Sequence, residues 1–202
     1  MKLYCEEGKS QKEIAVIQSC SLNTVCHWMK KYGIPRRSIR DAVYLRNNPN
    51  GDPFFFKEPK SLGEAKLFGM GLGLYWGEGT KASKNSVRLG NSDPNLVKTF
   101  MRFLIECFGV RKGDFRFSLQ LFKDIDKDAA TRFWSSRLGV RTDQFTKPTV
   151  SPSQSQGTYK RRSQYGVVTL YYHNTRLRNL LVSMLELSGT STLHKEDNNT
   201  PL

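Results

Sequence analysis

Residues 69–81 read GMGLGLYWGEGTK, five glycines in a stretch whose other side chains are mostly those of an apolar helix. A glycine inside a helix costs roughly 1 kcal/mol relative to alanine, so the run requires a compensating contact. Gly69, Gly73 and Gly77 recur at i, i+4 and i+8 and leave one edge of the helix without side chains. Such an edge lets a second helix approach backbone to backbone. Two phosphate-binding alternatives fail on spacing. The segment EEGKS carries the tail of a P-loop but has Leu3 where the first glycine is needed, and the glycines at 69–79 do not form GxGxxG. The run therefore predicts a close helix–helix contact that ends at an acid, Glu78.

The flanks of this helix define the fold class. NLVKTFMRFLIECFG (95–109) places Leu96, Phe100, Phe103, Leu104 and Phe108 at helical spacing, after an Asp93 N-cap with Pro94 in the first turn. DFRFSLQLF (114–122) alternates, with Phe115, Phe117, Leu119 and Leu121 on one face and Arg116, Ser118 and Gln120 on the other. VVTLYY (167–172) is β-branched and aromatic. The expected order is a helix at 63–78, strands near 80–84 and 86–91, a helix at 94–108, a strand at 114–122 and a helix at 126–138. Strands near 144–150 and 165–173 and a helix at 175–187 complete it. Helices on one face of an antiparallel sheet make an α+β domain.

A separate module precedes it. Ser10 with Glu13 is a capping box before Ile14, Ala15 and Ile17, and a second helix starts at Ser21, carries Leu22, Val25 and Met29 on one face, and stops at Gly33 and Pro35. This spacing is that of a helix-turn-helix over residues 1–40, with Asn23, Thr24, His27, Lys30 and Lys31 on the exposed side of the second helix. Arg36 and Arg37 follow as a basic arm suited to a minor groove or to phosphate. Residues 41–60, rich in Asn-Pro, Asn-Gly and Asp-Pro, read as a linker whose Phe54, Phe55 or Phe56 docks on the next domain, placed at 61–190 before a tail at 191–202.

Charge indicates the partner. Lys and Arg outnumber Asp and Glu 32 to 18, a net charge of +14 that favours a polyanion. No acid occurs between Asp143 and Glu186, and a hairpin carrying Lys160, Arg161 and Arg162 is expected there to contact phosphate. The polar strand face with Arg116 and Gln120, and Lys81 just past the glycine-rich helix, extend the expected contact set. Cys5, Cys20, Cys26 and Cys107 form no CxxC pair, and His27, His173 and His194 supply no zinc-type spacing. No apolar run is long enough to span a bilayer, so a cytoplasmic protein with reduced thiols is expected, with no membrane partner.

GLGLYWGEG (71–79) resembles the nine-residue motif of LAGLIDADG homing endonucleases, with Gly73 and Gly77 at its small positions and Glu78-Gly79 as its acid followed by glycine. Trp76, Gly71 and Glu78 stand where that family commonly has Asp, Leu and Asp. The resemblance, extended over most of residues 62–190 by the NSDP turn at 91–94 and the element order, implies a LAGLIDADG-type core. It also implies motif helices packed at a subunit interface, terminal acids that hold Mg²⁺ over double-stranded DNA, and a homodimer, because one motif occurs per chain. On this resemblance Glu78 is the metal ligand and Asn91 and Lys123 are candidate catalytic neighbours in a site-specific endonuclease. The same family implies two alternatives, a non-cleaving transcription regulator and an RNA-binding, maturase-like splicing cofactor.

Overall fold

A computed structural model of the protein describes residues 2–151 and 163–186. They divide into two compact units, with the boundary between Pro53 and Phe54. The first contains α1 (Lys2–Cys5), α2 (Gln11–Ile17), α3 (Leu22–Lys31) and α4 (Ile39–Asn47). The second runs α5 (Leu62–Glu78), β1 (Val87–Asn91), α6 (Pro94–Phe108), β2 (Arg116–Phe122), α7 (Lys127–Leu138), β3 (Thr149–Ser151), β4 (Val167–Tyr172) and α8 (Thr175–Leu185). Among the described residues no helix is long and apolar enough to cross a membrane.

In the first unit, local capping chemistry sets the helix starts. Ser10 Oγ accepts from the Glu13 amide at 3.2 Å while the Ser10 amide donates to Glu13 Oε2 at 2.7 Å, closing a reciprocal box. Ser21 Oγ accepts from the Thr24 amide at 3.1 Å, and Gly33, at φ +63°, takes the left-handed conformation that ends α3. Tyr4, Ala15, Val25 and Met29 form the buried centre. Ile17 and Leu22, expected on the apolar face, stay exposed, at 51% and 39%. Residues 39–47, read from the sequence as the end of the arm and the start of a linker, form α4 instead. Ser38 Oγ caps it by accepting from the Asp41 amide at 3.1 Å.

The second unit is α+β. Its sheet has the order β1-β4-β2-β3, with β4 antiparallel to both β1 and β2. β3 pairs parallel to β2, so the sheet is mixed and not wholly antiparallel. The cause is the connection: α7 lies between β2 and β3, and a helical crossover returns the chain in the same direction. The strand expected at 80–84 reduces to one bridge, Gly79 to Leu89, and a Thr80 amide bond to the Arg88 carbonyl at 3.0 Å. Val87, Leu89, Phe117, Leu119, Leu121, Val168 and Leu170 point to one side and are buried with Phe100, Phe103, Leu104, Trp134, Leu177 and Leu181 from the helices. Among the described residues the opposite side of the sheet carries no helix-derived core. Before α5, the aromatic triplet lies along the end of α6: the Phe55 amide donates to the Phe108 carbonyl at 3.1 Å, and the Phe56 ring packs 5.5 Å from both Phe68 and Phe108.

Within the glycine-rich helix, the close intramolecular contact falls on a glycine outside the expected edge. Leu67, Gly71 and Tyr75 form the buried face of α5, and a Cβ on Gly71 would lie 2.0 Å from the Phe103 ring. At Gly69, Gly73 and Gly77 an added Cβ meets nothing within 4 Å. Gly71→Ala should therefore lower the stability of this unit by about 1–3 kcal/mol, the usual cost of overpacking a core. Gly73→Ala should leave stability unchanged or raise it by up to ~1 kcal/mol through helix propensity. Thermal melts of the two variants beside wild type check the contrast, and equal melting points would contradict the α5–α6 packing.

Candidate nucleic-acid interface

Among the described residues the outer edge of α5 is apolar and unpartnered. Gly69, Met70, Gly73, Trp76 and Gly77 are exposed along it, Met70 at 47% and Trp76 at 55%. A helix apolar on all sides is ordinarily buried on all sides. At its C-terminal end Glu78 is exposed and has no hydrogen-bond or ion-pair partner among the described residues. Lys81 folds back, and its Nζ donates to the Trp76 carbonyl, a cation on the negative end of the helix dipole. Below this end Tyr75 is fully buried, and burial pushes its phenol above the ordinary tyrosine range. Arg178 of α8 braces the following loop through a bond from its guanidinium to the Lys81 carbonyl.

The face of the sheet opposite the core, open among the described residues, is built by register. Arg88 of β1, Tyr171 of β4 and Arg116 of β2 stand in one row, and Gly90, Thr169 and Ser118 stand in the next. Val167, Gln120 and Thr149 form a third. None of these side chains is acidic. Arg88 is held by a 2.8 Å bond from its Nε to Ser86 Oγ, and its guanidinium lies over the Tyr171 ring at 5.1 Å. Arg116 Nη1 donates to the carbonyls of Gly113 and Phe115 at 2.7 and 2.8 Å. His173, just past β4, stacks on Tyr171 at 5.9 Å between ring centroids. Desolvation, then Arg88, then Arg116 hold its imidazole below the ordinary histidine range. Cations interleaved with an aromatic on an acid-free surface suit a phosphate polymer.

The expected site residues do not all converge. Arg116 and Gln120 share the open face. Asn91 has the inward parity of Val87 and Leu89, and its Oδ1 accepts from the Asp93 amide at 2.9 Å in the turn before α6. Glu78 adjoins the Gly79–Leu89 bridge, in the strand row of Phe117, whereas Lys123 follows Phe122, about 20 Å farther along β2 at ~3.3 Å per residue. Sheet register thus separates Lys123 from Glu78. Lys160, Arg161 and Arg162 lie outside the described residues. Among the described residues no three His, Cys, Asp or Glu side chains converge as a metal site. At the end of α5 the exposed Glu78 carboxylate alone does not make a cation site, and Mg²⁺ would fit there only where a second carboxylate and phosphate oxygens join it.

On the first unit, Asn23, Thr24, His27, Lys30 and Lys31 are exposed on α3, as a reading helix requires. Thr24 Oγ1 shares a 2.9 Å hydrogen bond with Ser21 Oγ, and Lys31 Nζ lies 4.7 Å from the centre of the Trp28 ring. Trp28 and Tyr32 stack on each other while exposed, a ledge that the apolar periodicity did not indicate. Arg36 is exposed. Arg37, expected in the basic arm, turns inward: its guanidinium donates to the carbonyls of Gly8, Lys9 and Tyr4 and lies 4.0 Å over the Tyr4 ring. It clamps the module, and most of its donors are spent inside it. Residues missed from the sequence are Gly71, Arg88, Tyr171 and His173, and only the period-2 spacing of Tyr171 and His173 signalled their common face. Compared with models of protein families, with curated proteins and with solved structures, the chain gives no match.

Proposed function

We propose that the protein is a sequence-specific double-stranded-DNA-binding protein of the LAGLIDADG type. It pairs with a second copy through the outer edge of α5 and hydrolyses DNA phosphodiesters with divalent metal at Glu78. The observation that carries this reading is the juxtaposition on one unit of an apolar, glycine-lined helix edge, an exposed carboxylate at its end, and an acid-free sheet face bearing Arg88, Arg116 and Gln120. Pairing two such edges about a two-fold axis along the helices, so that they run parallel, would bring two Glu78 side chains to one axis and suit a duplex with two half-sites. Arg116 and Arg88 suit phosphate or guanine, Gln120 suits adenine, and exposed Val167 suits a thymine methyl group.

Mg²⁺, where bound, would be held by Glu78, by Glu78 of the partner subunit and by substrate phosphate oxygens, and it supplies Lewis-acid stabilisation of charge on the phosphoryl group. The chain's own residues bind and orient the duplex. The exposed polar side chains of α3 would add base contacts of their own.

A non-cleaving regulator is the second reading. It is favoured by Lys81, whose ammonium occupies the Trp76 carbonyl at the same helix end. One experiment separates the two. A randomised duplex library incubated with the protein and Mg²⁺ is divided into bound, unbound and cut fractions, and each is sequenced. Cutting within an enriched sequence supports the endonuclease, and enrichment without cutting supports the regulator. Absence of any enriched duplex overturns both, and tighter retention of structured intron RNA points to a splicing cofactor.

A further inference from the structure

We propose that Arg88, Arg116 and His173 form a binding corner for a tetrahedral oxyanion, the phosphate group in particular, in which His173 takes up a proton as the anion binds. Three strands meet there. Register puts Arg88 and Arg116 on opposite sides of Tyr171, about 10 Å apart between backbones at two strand spacings, a span that two arginine side chains close from either side. Among the described residues each guanidinium is tethered along one edge. Arg88 uses Nε on Ser86, and Arg116 uses Nη1 on two carbonyls. Their remaining N–H groups are left for a shared acceptor. Tyr171 forms the floor, with Arg88 over its ring and the His173 imidazole stacked in near-parallel fashion at 16°.

The surroundings of His173 disfavour its proton in the free protein, by desolvation and by two neighbouring guanidiniums. His173 faces Arg88 from β1, Arg116 from β2 and the Tyr171 ring from its own strand, and the two guanidiniums are the charges that act on it. Arg176 stands three residues on, at the start of α8. Burial first, then the Arg88 and Arg116 charges, disfavour the protonated imidazole in the free protein, and the neighbouring Asp114 carboxylate, two residues before Arg116, is engaged by Arg111 at 3.0 Å. An oxyanion seated between the guanidiniums cancels the repulsion and attracts the imidazolium. Because the bound state then holds one more proton than the free state, affinity rises as pH falls between the two midpoints, by at most tenfold per pH unit. Above the bound-state midpoint and below the free-state midpoint it is flat.

The proposal deepens the DNA-binding reading and rests on it only for the source of the phosphate. The test is a titration of the full chain from pH 5 to 8.5, followed by the imidazole NMR signals, with His173→Gln identifying the resonance. It is run in chloride alone, in sulfate at matched ionic strength, which keeps its charge over this range, and with a 20-base-pair duplex. The expected result is a His173 midpoint raised by about one pH unit with either anion, and a duplex affinity that gains up to tenfold from pH 8 to pH 6 beyond any gain left in His173→Gln. Arg116→Gln should raise the midpoint of the free protein and shrink the shift on adding sulfate, which a purely structural arginine would not do. A midpoint unmoved by sulfate and by a duplex that binds overturns the corner and leaves the DNA reading standing. A midpoint moved by sulfate in a protein that binds no duplex keeps the corner and overturns the DNA reading.

Discussion

Exchanging Glu78 for glutamine is expected to reduce duplex cleavage by about 10²–10³-fold or more, in line with removal of one group that stabilises transition-state charge. Duplex affinity should stay within about twofold, because the substitution leaves the proposed phosphate contacts of the sheet untouched. The substitution preserves shape and removes only charge. Glu78 is exposed and makes no hydrogen bond or ion pair among the described residues, so the fold of the protomer does not depend on its carboxylate. A hard cation held there as proposed would depend on it, since the amide is a far poorer ligand than a carboxylate. Single-turnover cleavage of the selected duplex with Mg²⁺, beside a binding titration in Ca²⁺, reads the two effects separately. Equal cleavage rates for variant and wild type would remove Glu78 from the chemistry, and parallel losses of cleavage and binding would make it a contact residue.

The second large effect concerns assembly. If the chain pairs through α5 as proposed, Gly73→Leu should weaken self-association by about 100-fold or more, the consequence of forcing a bulky side chain into a helix contact that needs bare backbone. The protomer itself has room for the change. Nothing lies within 4 Å of the position of a Cβ on Gly73, and leucine improves local helix propensity by about 0.8 kcal/mol over glycine. The melting point of the separated protomer should therefore hold or rise while the association constant falls. Sedimentation velocity across a concentration series reads the association, and circular dichroism reads the protomer. If the wild-type protein sediments as a monomer at micromolar concentration and still binds duplex, the pairing through α5 is wrong. Gly71→Ala distinguishes this from a general intolerance of the helix, because it should damage the protomer through Phe103.

Those two glycines mark how far local reasoning reaches. The helix interval 63–78 read from the sequence lies within one residue of Leu62–Glu78, and the starts of α2, α3, α6 and α7 follow Ser10, Ser21, Asp93 and Asp126. These signals act over three or four residues, where a side chain meets its own backbone, so they survive without a tertiary context. The alternation of β2 was legible for the same reason, since period two separates its buried phenylalanines and leucines from Arg116, Ser118 and Gln120. The glycine-rich helix, its terminal acid and its exposed edge were likewise readable as a pattern.

The tertiary structure decided which glycine meets which partner. Gly71 reaches Phe103 across two helices, and no spacing within α5 distinguishes that contact from the outer edge at Gly69, Gly73 and Gly77. Arg37 shows the same limit: a basic residue after a reading helix suits a DNA arm, yet the Tyr4 phenol accepts its amide at 2.8 Å from 33 residues away and the Tyr4 ring takes its guanidinium. The parallel placement of β3, the distance of Lys123 from Glu78, and the row that joins Arg88, Tyr171 and Arg116 all depend on strand order and register. Local propensity and capping belong to the sequence alone because their partners are near neighbours in the chain. Strand order and the cationic corner belong to the fold because their partners meet only after non-local segments have closed on one core.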